Sequence, residues 1–274
     1  TQPLCYGETG AIDIGVTGGV GNYVYLWTGD LGGTSITISP NNTQDISNLT
    51  PGDYTVVVTD DNGCTATDTW TINEAPPAIV LTPTITQPLC NNGTGSATIG
   101  INGGVPGYTI SIDGGAPVGV TTNPHPINPL TPGIHTVTVL DANDCEEEIQ
   151  ITINNPPAIL LGVLGTDVPC HGGNNGEIEI TASGGTGLLT YTVSTGGLPI
   201  FAGTISSGTP VTVTGSGAAP MPAGAYIVTI TDANLCTATQ TVIIGEPTLL
   251  QITGPAFTQP LCYGETGAID IGVT

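Results

Sequence analysis

Apolar and polar positions alternate along most of this chain. Ile12, Ile14 and Val16 alternate with Asp13 and Gly15, and Tyr54, Val56 and Val58 alternate with Thr55, Val57 and Thr59. A period of two marks a half-buried strand, and the Thr, Val and Ile that fill these runs suit a pleated surface. Clusters of Gly, Pro, Asn and Asp interrupt the runs at short intervals, and no stretch carries a persuasive helical period. Several short strands in every 80-odd residues, with turn signals between them, predict an all-β chain of small immunoglobulin-like β-sandwiches.

The pattern repeats at two levels. Residues 258–274, TQPLCYGETGAIDIGVT, are identical to residues 1–17, so a large period runs from Thr1 to Phe257. Inside it, Cys5, Cys90 and Cys170 each open a unit, and Cys262 opens the next. Each unit carries a Gly pair (Gly18-Gly19, Gly103-Gly104, Gly184-Gly185). Each ends on one phrase: GDYTVVVTDDNGC up to Cys64, GIHTVTVLDANDC up to Cys145, GAYIVTITDANLC up to Cys236. Joints NEAPPA, NNPPA and GEP precede apolar runs that read as first strands. The expected modules are therefore 1–77, 78–157 and 158–247, with 248–274 starting the next period. The first strand of module one is expected before residue 1, with 248–257 as its equivalent. Short Pro-containing joints predict an elongated, semi-rigid rod.

Composition narrows the function. The 274 residues include 22 acidic side chains and no Lys or Arg, a formal net charge of −22. Without basic side chains there is no phosphate-neutralising surface, so nucleic acid is excluded as a partner. Schiff-base lysine and polybasic membrane anchors are excluded too. No apolar stretch is long enough to span a bilayer, and without an initiator Met or signal sequence the chain reads as an internal piece of something longer. Each module holds two cysteines, which predicts the pairs Cys5–Cys64, Cys90–Cys145 and Cys170–Cys236, with the partner of Cys262 beyond residue 274. Such crosslinks imply an extracellular location. A Cys/His metal site is disfavoured, because His171 beside Cys170 becomes Tyr6 and Asn91 in the other modules.

These residues resemble the SprB-repeat family, immunoglobulin-like modules of giant surface adhesins in gliding bacteria of the Bacteroidota. Module one carries the resemblance through Cys5-Tyr6-Gly7, Gly10, Gly18-Gly19, Tyr23, Tyr25, Trp27 and the run Leu49 to Cys64. Module two departs at Ile112, opposite Trp27, and at His135, opposite Tyr54; module three departs at Val193 and Met221. The resemblance implies a secreted cell-surface filament, exported by the type IX system, that serves adhesion or gliding.

Candidate chemistry is sparse, and no enzyme is expected. His125, His135 and His171 fall at unrelated positions. His125 is expected in an exposed Pro-rich loop, and His135 in the slot of a tyrosine corner. Calcium is the one candidate cofactor, at Asp60, Asp61, Asp141, Asp144 and Asp232, because hard cations bind clustered oxygen ligands. The competing reading is an ordinary Asp-initiated turn. Trp27 and Trp70 are expected to pack internally rather than stack on sugar, and Asn41, Asn48 and Asn92 fit a glycan acceptor pattern. The expected function is a structural stalk of a giant surface adhesin, with neighbouring repeats of the same chain as partners and surface polysaccharide or substratum as further candidates. The alternatives are a glycan-binding array and a self-assembling sheath or matrix fibre.

Overall fold

In the computed structural model, which describes residues 1–31, 34–37, 44–217 and 219–273, every regular element is a β-strand. The alternating runs form strands because one face of each meets an apolar layer while the other meets water. The burial of Gly133–Leu140 shows this: His135, Val137 and Val139 are buried, and the residues between them are not.

The first sandwich is built from β1 (Gly10–Ile12), β2 (Val24–Leu31), β3 (Thr34–Thr37), β4 (Ile46–Leu49), β5 (Gly52–Thr59) and β6 (Thr65–Ile72). It has a two-stranded sheet β1-β4 and a four-stranded sheet β3-β2-β5-β6. The second uses β7 (Val80–Thr86), β8 (Gly95–Asn102), β9 (Thr109–Ile112), β10 (Val118–Gly119), β11 (His125–Leu130), β12 (Gly133–Leu140) and β13 (Glu146–Ile153). Here a three-stranded sheet β11-β8-β7 accompanies the four-stranded sheet β10-β9-β12-β13.

The third repeats that plan with β14 (Leu160–Thr166), β15 (Glu177–Ser183), β16 (Leu189–Thr195), β17 (Leu198–Ile205), β18 (Val211–Thr214), β19 (Gly224–Thr231) and β20 (Thr237–Ile244). Its sheets are β14-β15-β18 and β17-β16-β19-β20. A last hairpin pairs β21 (Ile252–Thr258) with β22 (Ala268–Val273). All named pairings are antiparallel, so the chain is a tandem array of immunoglobulin-like β-sandwiches.

Each sandwich has its own core. The first centres on Ile12, Trp27, Tyr54 and Val56, the second on Ile99, Ile101, Val137 and Val139, the third on Ile178, Ile180, Val228 and Ile230. Fully burying one such side chain contributes about 1.5–3 kcal/mol. Ile79 and Leu81, on and beside β7, belong to the second core, and the corresponding Ile159 and Leu161 pack on the third. The chain divides into two compact units, Thr1–Gln87 with Thr94–Ile153, and Pro88–Gly93 with Asn154–Thr274.

A ring fastens the start of the penultimate strand in every sandwich. Tyr54 Oη donates to Thr50 O at 2.8 Å and Tyr226 Oη to Pro222 O at 2.7 Å. His135 Nε2 reaches Thr131 O at 2.7 Å. This is the tyrosine-corner geometry, with an imidazole filling the slot in the second sandwich.

Candidate functional site

The recurring chemistry sits in the turn that ends each closing phrase. Asp141 Oδ1 accepts the backbone N–H of Asn143 at 2.8 Å and of Cys145 at 3.0 Å, and Oδ2 accepts that of Val105 at 2.8 Å. Asp232 repeats the pattern with Asn234, Cys236 and Thr186, each at 2.9 Å. Asp60 repeats it with Asn62 at 3.0 Å, Cys64 at 2.8 Å and Val20 at 3.0 Å. For Asp60 the Cys64 N–H leads in holding the carboxyl below its usual range. For Asp141 and Asp232 burial pushes upward, but the three backbone donors outweigh it and both carboxyls stay low.

This turn presents a cysteine and an asparagine to the opening segment of the preceding module. Cys145 is bonded to Cys5 and Cys236 to Cys90, each with a Cα–Cα distance of 5.5 Å. Beside them, Asn143 Nδ2 donates to Leu4 O at 2.9 Å and Asn234 Nδ2 to Leu89 O at 3.1 Å. Cys64, Cys170 and Cys262 are free and exposed.

The pairs expected from the sequence, Cys5–Cys64, Cys90–Cys145 and Cys170–Cys236, are thus corrected: the two bonds formed join the opening cysteine of one module to the closing cysteine of the next. Strand length explains the difference. Cys90 lies before the first residue of β8, whereas Asp141 contacts Val105, beyond its last. Eight strand residues separate the two ends by roughly 26 Å, while a disulfide tolerates no more than about 7 Å between Cα atoms. A signal for this was present: an opening cysteine before the second strand and a turn between the last two strands fall at opposite ends of an antiparallel sandwich.

The acidic positions lie in turns and on one strand. Among the described residues, no group of three or more His, Cys, Asp or Glu side chains is arranged to hold a metal ion. Asp60, Asp141 and Asp232 spend their oxygens on backbone N–H groups. Asp61 Oδ2 accepts from Asn22 N at 3.0 Å, and Asp144 takes the left-handed backbone of a tight turn at φ 62°. Glu146, Glu147 and Glu148 are exposed at the start of β13, where successive side chains point to opposite faces.

His135 Nδ1 lies 2.8 Å from Asp113 Oδ2. Hydrogen bonding to the Thr131 carbonyl, then to Asp113, raises the imidazole pKa, and the same His135 contact leads in lowering that of Asp113. His125 is half-buried on β11 opposite Ile99 rather than exposed in a loop. Trp27 is fully buried, with the half-buried Trp70 ring 6.0 Å from it, centroid to centroid. Asn48 lies in β4 and Asn92 in the turn after Cys90, while Asn41 falls outside the described residues.

The opening turns also clamp the joint that leaves their module. Asn91 Nδ2 donates to Pro156 O at 2.8 Å and Asn92 N to Asn155 Oδ1 at 2.8 Å. Gly172 N donates to Glu246 Oε2 at 2.7 Å, and His171 Nδ1 lies 3.5 Å from Glu246 Oε1.

Fold and site together define a class: tandem immunoglobulin-like sandwiches crosslinked from module to module. Within that class the SprB-repeat family profile matches three segments of the chain, residues 1–32, 82–117 and 166–198. No curated protein matches. Among solved structures, the three N-terminal domains of the bacteriophage RB49 outer capsid protein Hoc are similar at 15% identity, over 90% of this chain and 96% of that one, with a TM-score of 0.37. A segment of a 1.5-MDa bacterial ice-binding adhesin is similar at 17% identity, over 86% and 89%, with a TM-score of 0.36. Extracellular domains 3–5 of Drosophila OTK are similar at 12% identity, over 89% and 93%, with a TM-score of 0.24.

Proposed function

We infer that this chain is a non-enzymatic structural segment of a cell-surface adhesin, a stalk that carries a binding region away from the cell in adhesion or gliding. The observation that carries the reading is the crosslink between successive modules. Pulled from its ends, an array joined only by peptide bonds lengthens module by module as each sandwich unfolds. With Cys5–Cys145 and Cys90–Cys236 formed, the shortest covalent path from Cys5 to Cys236 runs through residues 90–145 alone. Most of the hidden length stays locked even when the sandwiches open. The SprB repeats support a surface location, and the disulfides support an oxidising compartment. A sugar-binding array calls for rows of exposed aromatic rings, whereas Trp27, Tyr25 and Tyr54 are buried and Tyr6 is the strongly exposed ring of the first sandwich.

Single-molecule stretching tests the reading. The oxidised chain is expected to reach a fully extended length roughly 60 nm short of the reduced one, from the residues the crosslinks hold back. Equal lengths in both states would remove the mechanical role.

A further inference from the structure

The first sandwich has an open place that the other sandwiches fill. In the second, β7 lies along β8, and Ile79 and Leu81 pack with Ile99, Ile101, Val137, Val139 and Ile151. The corresponding side chains of the first, Ile14, Val16, Val56, Val58 and Trp70, instead line an open groove of about 440 Å³. Glycines mark the same vacancy. A Cβ on Gly103 would stand 1.9 Å from Ala78 O, and one on Gly184 1.9 Å from Ala158 O, whereas one on Gly18 would meet nothing within 4 Å.

The chain itself shows what fits there. Residues 268–273 of β22 repeat the sequence Ala11–Val16, and they are paired with β21. Thr253 Oγ1 donates to Gly272 O at 3.2 Å, and a Cβ on Gly272 would lie 2.7 Å from that hydroxyl; one on the equivalent Gly15 would meet nothing. The register is set as well, because Ala11 N donates to Thr1 O at 3.0 Å, as Thr258 pairs with Ala268 one period later. Leu250 and Ile252, in the places of Ile79 and Leu81, stand 74% and 69% exposed. Cys64 and Cys170 are exposed thiols in the closing and opening positions that are bonded elsewhere. Around Cys64 the Asp60 turn already has the form of the Asp141 and Asp232 turns.

We propose that one period is joined to the next copy of itself by the junction used inside it: the segment 249–257 fills the groove of the following copy, and Cys170 forms a disulfide with that copy's Cys64. The bond forms by exchange with a small-molecule or protein disulfide. Each thiol loses a proton, the two sulfurs together give up two electrons, and the oxidant leaves as two thiols. The result is a continuous ladder in which every opening cysteine is bonded to the next closing one.

The test is a two-period chain, residues 1–257 followed by residues 1–274, with Cys64→Ser in the first copy and Cys170→Ser in the second. One Cys170 and one Cys64 then remain. Lacking Lys and Arg, the chain is cut with an acid-residue-specific protease under non-reducing conditions. The expected product is a Cys170–Cys64 crosslinked peptide from monomeric protein. Alkylation of both thiols after mild oxidation, or their bonding only in dimers, overturns the proposal. A Leu250→Asp, Ile252→Asp pair in the first copy reads the strand separately. It is expected to slow Cys170–Cys64 formation at least tenfold while Cys5–Cys145 forms at its usual rate. An unchanged rate removes the groove from the proposal.

Discussion

A single aspartate organises each closing turn. Asp141 holds three backbone N–H groups that have no other acceptor in the turn, and the turn aims Cys145 at Cys5. Asp141→Ala leaves those donors half-buried and unmatched. The expected loss is about 3 kcal/mol in the second sandwich, from hydrogen bonds to a charged acceptor, read by hydrogen exchange of the β12 and β13 amides. His135 sets a pH dependence in the same sandwich. Its raised pKa means that its contribution is fully present below the ordinary histidine value of about 6.5 and is lost as pH climbs through the folded value. Asp113, held low, contributes above the ordinary carboxylate value of about 3.9 and loses that contribution as pH falls through its folded value. His135→Tyr is expected to abolish the alkaline loss in the exchange profile, because a phenol can donate to Thr131 O as Tyr54 does to Thr50 O without titrating in that range. A profile of unchanged slope would show that the imidazole charge is not what the site stabilises.

At the scale of elements, the joint and the Gly pair form one device. Gly103 lies at φ +75° and lets Ala78 O approach, and Gly104 N donates to Pro77 O at 2.8 Å. Gly18 shares the left-handed backbone, at φ +85°, but faces open space. Gly103→Ala is therefore expected to destabilise its sandwich well beyond the roughly 1–2 kcal/mol that left-handed alanine costs, while Gly18→Ala costs only that. Equal losses in thermal unfolding would deny that the joint is seated on Gly103. Strands and sandwich class were legible in the sequence because alternation reports which face is buried, and Ile12, Ile14, Val56 and Val58 are indeed core. The corner role of His135 was legible from its alignment with Tyr54 and Tyr226. The cysteine pairing was legible only through strand order, because spacing along the chain does not by itself say which end of a sandwich a turn occupies. The Asp oxygens' partners were not legible: Val105 and Thr186 come from loops far away in sequence.

For the whole molecule, the net charge of −22 without Lys or Arg leaves the sandwiches to hold by packing, ladders and crosslinks. The two ion pairs among the described residues both involve histidine, His135 with Asp113 and His171 with Glu246. The loops closed by the disulfides separate their cysteines by 140 and 146 positions. Closing a loop of that size restricts the unfolded chain by about 5 kcal/mol on the chain-entropy account. These crosslinks tie module to module, where bonds within modules would stabilise each sandwich and leave the joints free to extend. A non-reducing peptide map of the oxidised chain tests this directly. The account predicts Cys5 with Cys145, Cys90 with Cys236, and alkylated thiols at Cys64, Cys170 and Cys262. Peptides joining Cys5 to Cys64 or Cys90 to Cys145, or seven free thiols, would contradict it.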